Sequence, residues 1–277
     1  MQLTKTYWTS ALALLLLAVP MARAQDAKQI VQRAVNSQLA ADRNDQSHWR
    51  YIETEMDGSK YVVVETETGA MRRHIDVDGH PASARTLARD DAANRQFIED
   101  PSLRAKQMQN SASDDKSSIE LLNLLPEAFD WKVESRTPQT ITLSYAPKPN
   151  FDPPDMESRV MGMMSGTLVV TIPEHRIKTF KGQLMHDVTI GFGLLARIKA
   201  GSTFDIERRE VAPEYWQIAE THVHIGGHAL FFKTIGTQQD EGKYDFTRVP
   251  PGTTLEQALE LLKEPLSGGG GRATRGR

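Results

Sequence analysis

The chain has 277 residues, with 33 Lys plus Arg against 36 Asp plus Glu and a formal net charge of −3. A composition of 39 % apolar and 25 % charged residues is that of a globular chain, not a disordered or collagen-like one. The near-neutral balance argues against a dedicated nucleic-acid binder, and the lack of cysteine excludes a disulfide framework, a Cys zinc site and a thiol nucleophile.

Residues 1–24 read as a secretory signal peptide. Ser10 to Val19 is a short apolar run, Pro20 breaks it, and Ala22-Arg23-Ala24 places small residues before the expected cleavage point. That run is about half of the ~20 residues a spanning helix needs, so no transmembrane segment is expected after cleavage. Export of a cysteine-free chain points to a bacterial periplasm.

From Asp26 to Asp42 the pattern is that of an amphipathic helix. Val31, Val35 and Leu39 share one face, Ile30 and Ala34 lie beside them, and Asp26 is placed to cap the start. The period then changes to two. Trp49, Tyr51 and Glu53 alternate with Arg50, Ile52 and Thr54, and Asp57-Gly58 is a hairpin signal. Tyr61–Thr68 and Met71–Val77, separated by Thr68-Gly69 and ended by Asp78-Gly79, complete a three-strand meander.

Residues 84–127 predict a helical insertion interrupted at Pro101, with a polar loop over 110–116. Ser117-Ser118 is positioned to cap a further apolar helix carrying Ile119, Leu122 and Leu125. Strands are then expected at 131–136, 140–146, 166–172, 176–188, 204–211, 216–225, 229–237 and 243–246, with a proline-rich loop over 147–156. Leu255–Leu262 closes the fold as a short helix, and 266–277 is a flexible Gly/Arg tail.

Strands that follow one another without intervening helices imply an antiparallel sheet. One face alternates as apolar, through Ile141, Leu143 and Tyr145, then Leu168, Val170 and Ile172, then Phe204 and Ile206. Such a face must be covered. The expectation is therefore an α+β fold in one domain over 25–265. A curved antiparallel half-barrel of about 10–11 strands carries helices on its concave face.

The order of signal peptide, leading helix, meander, helical insertion and long antiparallel run resembles the LolA/LolB type of outer-membrane lipoprotein-sorting protein. Asn150-Phe151-Asp152-Pro153-Pro154, Gly166-Thr167-Leu168 and Gly191-Phe192-Gly193-Leu194-Leu195 are also similar to uncharacterised secreted bacterial proteins of that superfamily. The resemblance implies a half-barrel that holds acyl chains beneath its helices.

Other motifs are weaker. His222-x-His224 with His228 nearby places imidazoles on one strand face, a spacing that suits zinc or a hydrolase, but a supporting ligand set is missing. Gly191-x-Gly193-x-x-Ala196 lacks the strand–turn–helix context of a dinucleotide fingerprint. Ser165 sits one place late for a nucleophile elbow. Met156, Met161, Met163 and Met164 offer an adaptable apolar surface or ordinary core. The paired acids Asp90-Asp91, Glu99-Asp100 and Asp114-Asp115 read as solvated helix surface.

The functional expectation is a periplasmic, non-enzymatic protein that binds lipid or lipoprotein acyl chains, with no cofactor and no metal. Its walls would be Leu168, Val170, Phe204, Ile206, Phe231 and Ile235, with Val31, Val35 and Leu39 as lid. The alternatives are an envelope scaffold that docks a partner protein and a hydrolase built on His222, His224 and His228.

Overall fold

The computed structural model of the chain describes residues 12–190, 196–229 and 233–265. Helix α1 (Leu12–Asn44) leads into strands β1 (His48–Thr54), β2 (Lys60–Thr66), β3 (Gly69–Val77) and β4 (His80–Pro81). Asp78 and Gly79 take φ of +52° and +78°, the left-handed pair that a two-residue hairpin turn needs. Helices α2 (Ala84–Glu99) and α3 (Pro101–Ala128) follow. Pro101 opens α3 at the position where its missing N–H costs nothing.

The chain continues through β5 (Phe129–Arg136), β6 (Thr140–Pro147), the single-turn α4 (Met156–Met161), β7 (Met164–Thr171) and β8 (Ile177–Leu184). It ends with β9 (Val188–Ile190), β10 (Ala196–Ile198), β11 (Thr203–Ala212), β12 (Tyr215–Ala229), β13 (Lys233–Val249) and α5 (Leu255–Leu261). Among the described residues the strands form one unclosed 13-stranded antiparallel sheet, in the order β4-β3-β2-β1-β13-β12-β11-β8-β7-β6-β5, with β10 on β12 and β9 on β10.

The α+β class is as expected, but the details differ in four places. The strand number is higher because His80–Pro81 pairs with β3, because the expected strand 176–188 divides into β8 and β9, and because Ala196–Ile198 adds β10. Residues 216–225 and 229 merge into β12, and 237 and 243–246 into β13. The polar stretch 110–116 is helical, because it contains neither Gly nor Pro and a turn without large apolar residues is tolerated on an exposed helix. Asp26 caps nothing, since α1 already runs through it; its carboxylate pairs with Arg136 at 2.9 Å instead.

The chain divides into two compact units. The first contains α1, residues 118–207 and residues 223–237. Its core joins Ala27, Ile30, Val31, Ala34 and Val35 of α1 to Leu125 and Ala128 of α3 and to the inward residues of β5–β8. Helix α1 packs on β5 and β8, with its apolar stripe turned to the sheet. A buried polar contact fixes its end: Arg176 donates from Nε to Gln38 Oε1 at 3.2 Å, and Gln38 donates to Asp42 at 2.7 Å.

The second unit contains residues 45–117, 208–222 and, among the described residues, 238–265. One face of its strands buries Val62, Val64, Met71 and Val249 against α5 and α2. The other face carries Trp49, Tyr51, Tyr61 and Val63, packed by Val211, Ala212, Tyr215 and Phe246. The outer edge of β3 is covered by side chains. Gln107 bonds both the N–H and the C=O of Ala70 (2.8 and 3.0 Å). Asn94 donates to Arg72 O at 3.0 Å, and Asp90 accepts from His74 N at 2.9 Å.

Arg50 ties α5 to β1. It is buried, and donates from Nε to Leu261 O (3.0 Å) and from Nη2 to Glu264 O (2.8 Å). A cation at those late carbonyls also matches the negative end of the helix. Arg50→Ala should cost about 2 kcal/mol, the range for charge-assisted hydrogen bonds. The readout is the urea midpoint together with faster tryptic cleavage at Lys263; an unchanged midpoint would mean that α5 is held by apolar packing alone.

Candidate functional site

The expected binding residues of the first unit fall into one core. Val31 and Val35 of α1 and Leu168 and Val170 of β7 have zero exposure, and Leu39 has 9 %. Phe204 is half-buried and packs against the same core. Ile206 is half-buried and lies opposite Phe180 on β8. Phe231 lies outside the described residues, and so does the side chain of Ile235. A side chain with zero exposure faces no water-sized void, so Val31, Val35, Leu168 and Val170 are in packed core contact.

Register explains how they meet. Trp131, Tyr145, Gly166, Gly182 and Phe204 form one straight row across β5, β6, β7, β8 and β11. The next row is Val133, Leu143, Leu168, Phe180 and Ile206. The two glycines leave a trough that the neighbouring rings fill. A Cβ on Gly182 would sit 2.3 Å from Phe204 and 2.4 Å from the Tyr145 hydroxyl. Tyr145 donates to Lys181 O at 2.9 Å, and burial pushes its phenol pKa up. Ring contacts run from Phe129 to Tyr145 (4.5 Å), Tyr145 to Phe180 (5.4 Å) and Phe180 to Phe204 (4.7 Å). Tyr145 and the glycine pair were not among the expected site residues. Glycine inside a strand was the available signal.

The second unit holds a charged cluster that no sequence motif marks. Glu53 on β1 faces Lys243 on β13 directly, and Glu241 lies two residues away on the same face. Lys243 Nζ is 2.7 Å from Glu241 Oε1, 3.6 Å from Glu53 Oε1 and 5.3 Å from the centre of the Tyr51 ring. Glu65 of β2 accepts from Trp49 N at 3.1 Å. Arg72 of β3 sits 3.9 Å from Glu53 and 2.5 Å from Glu55, over the Tyr61 ring.

Burial, then a hydrogen bond with Glu241, pushes the Glu53 carboxyl up to about 7. Burial also raises Glu65. It works to raise Glu241 too, but hydrogen bonds from Glu53 and Lys243 hold that group well below the ordinary carboxylate value. Burial opposes the charge on Lys243, yet Glu241 and Glu53 keep its pKa raised. Burial and the neighbouring carboxylates push the Tyr51 phenol up.

His222 pairs through Nδ1 with Asp240 (2.8 Å), and its Nε2 is 3.8 Å from Glu220, which Arg209 also engages at 2.9 Å. His224 is exposed two residues on, and the side chain of His228 lies outside the described residues. Among the described residues no group of three or more His, Cys, Asp or Glu is placed to hold a metal. Ser165 lies within β7 and is half-buried. Met161 and Met164 belong to the first unit's core, whereas Met163 is exposed. Asp90 and Asp91 are not free helix surface: Asp90 pairs with His74 at 2.7 Å and Asp91 with Arg73 at 2.8 Å. The Gly191–Leu195 segment and the Gly/Arg tail lie outside the described residues.

No family model, curated protein or solved structure matches the chain. Among the described residues no helix is long and apolar enough to cross a membrane.

Proposed function

We propose that the protein is a periplasmic binding or carrier protein for acyl chains, free in a lipid or borne by a lipoprotein. In this reading its sheet is the curved half-barrel of the LolA/LolB type, with helices on the concave face. The observation that carries the proposal is the chemistry of the first unit's core. Ala27, Ile30, Val31, Ala34 and Val35 of α1, each at most 2 % exposed, lie in one apolar cluster with Leu143, Leu168, Val170 and Leu184.

The flanking charges of α1 are paired outside that cluster, Asp26 with Arg136 and Lys28 with Glu127. An acyl chain that takes the place of the apolar stripe therefore meets apolar walls there, while the Gln38–Arg176 bond at the far end of α1 must be exchanged for water. Each methylene transferred contributes about 0.8 kcal/mol. Met161 and Met164 in the same core supply flexible side chains that adapt to a guest. Because the core is filled, uptake requires α1 to swing off the sheet, and the guest takes over the contacts that α1 gives up.

The test is solvent extraction and mass spectrometry of the mature protein purified from periplasm, followed by uptake of a fluorescent long-chain fatty acid. Near-stoichiometric acyl species and saturable uptake are expected. A lipid-free protein that takes up no fatty acid overturns the reading.

A further inference from the structure

The charged cluster of the second unit lies on the seam between β1 and β13, the pairing that joins the N-terminal meander to the rest of the strand order. The seam is irregular there. Its register shifts between Arg50 and Ile52, and Asp245 on β13 takes a φ of +55°. Glu53 and Glu241 both approach Lys243 Nζ, at 3.6 and 2.7 Å, with side chains only 13 % and 18 % exposed. Two carboxylates that share one ammonium in a partly dry site cannot both be ionised cheaply.

The neighbours do not cancel the charge. Glu53, Glu65 and Glu241 supply three negative charges, against Lys243, an Arg72 that is shared with Glu55, and His48, which acts on Glu65. Gln239 donates to Glu241 at 2.7 Å and adds no charge. By alternation, β12 turns Gln217, Ala219 and Thr221 to the side that carries Tyr215, none of them ionisable. His74 on β3 is engaged by Asp90. Asp240, which pairs with His222, falls on the opposite face of β13 from Glu241.

We propose that Glu53 and Glu241 hold one proton between them and form a proton-operated clasp on the β1–β13 seam, which loosens when that proton leaves. The sign follows from linkage. In the unfolded chain Glu53 titrates at its ordinary value, 4.5, whereas in the fold it is raised to about 7. Between those values the folded chain binds the extra proton. Stability is therefore fully present below the lower value and is lost as the pH rises through the upper one. Glu65, raised by burial, acts in the same sense. Glu241, held low, acts in the opposite sense but only below the ordinary Glu range.

The experiment is urea unfolding of the full chain from about pH 5 to about pH 8.5, with amide hydrogen exchange on β1 and β13 at each point. In the unmodified protein the unfolding constant should rise by up to about tenfold per pH unit across the window and then level off. Protection of 48–54 and 242–249 should fall ahead of that of β6 and β7. Glu53→Gln should remove at least half of the slope, leaving the part due to Glu65, whereas His74→Gln should retain it. A Glu53→Gln protein with the full slope, or an unmodified protein with none, overturns the proposal. Should Glu53→Gln fail to fold, infrared difference spectra of the unmodified chain decide. A protonated-carboxyl band at about pH 6 that disappears by about pH 9 is expected, and its absence at the lower pH overturns the clasp.

Discussion

Leu168→Ala is expected to lower the unfolding free energy by about 2–5 kcal/mol, in the upper half of that range. Leu168 has zero exposure and lies on β7, hydrogen-bonded on one side to β6 and on the other to β8. Its row neighbours Leu143 and Phe180 are fixed by those ladders. The space left by the lost methyls cannot be closed without moving a strand, so the cavity term is added to the transfer term. Urea or thermal unfolding measures the effect. A loss below about 1 kcal/mol would mean that the sheet yields around this position. On the proposed function the same change enlarges the space for an acyl chain, so fatty-acid uptake should persist while stability falls.

Gly166→Ala should be costly for a different reason, by about 3 kcal/mol, the upper end of the usual overpacking range. A Cβ at this position would lie 1.9 Å from Lys181 O, a backbone atom of the paired strand. That oxygen also accepts the Tyr145 hydroxyl bond at 2.9 Å, and the Tyr145 oxygen itself would be 2.8 Å from the new carbon. The methyl can be accommodated only by parting β7 from β8. Tyr145→Phe in the same chain should not rescue it, because the backbone clash remains. At Gly182 the closest atoms belong to the side chains of Phe204 and Tyr145, so Gly182→Ala should be partly relieved by Phe204→Leu. Rescue of Gly166→Ala by Tyr145→Phe would place the clash on the Tyr145 hydroxyl instead of the backbone.

The sequence makes one kind of information readable and hides another. The helical stripe Ile30, Val31, Ala34, Val35 and Leu39 is local, and all five residues are buried as its period requires. The alternation of Ile141, Leu143 and Tyr145 is equally local, and all three face the core. The glycine trough depends on Gly166 and Gly182 being opposed across a ladder, and composition cannot give register. The charged cluster is harder still, since Glu53 and Lys243 come from the first and last strands. One hint was present: Glu53 alternates onto the face of Trp49 and Tyr51, and a carboxylate among aromatic residues is an uncomfortable neighbour unless a cation meets it. The helix over 110–116 was hidden because an exposed polar turn and a loop have the same composition.

The side chains along β3 have a consequence for the protein at high concentration. A free strand edge normally templates whatever extended segment meets it, whether from another copy, a swapped arm or a growing fibril. Here Gln107, Asn94 and Asp90 already occupy the hydrogen-bonding positions of Ala70, Arg72 and His74. A stranger must peel α2 and α3 away before it can zip on, and that detachment makes self-association at this border slow even in a crowded compartment.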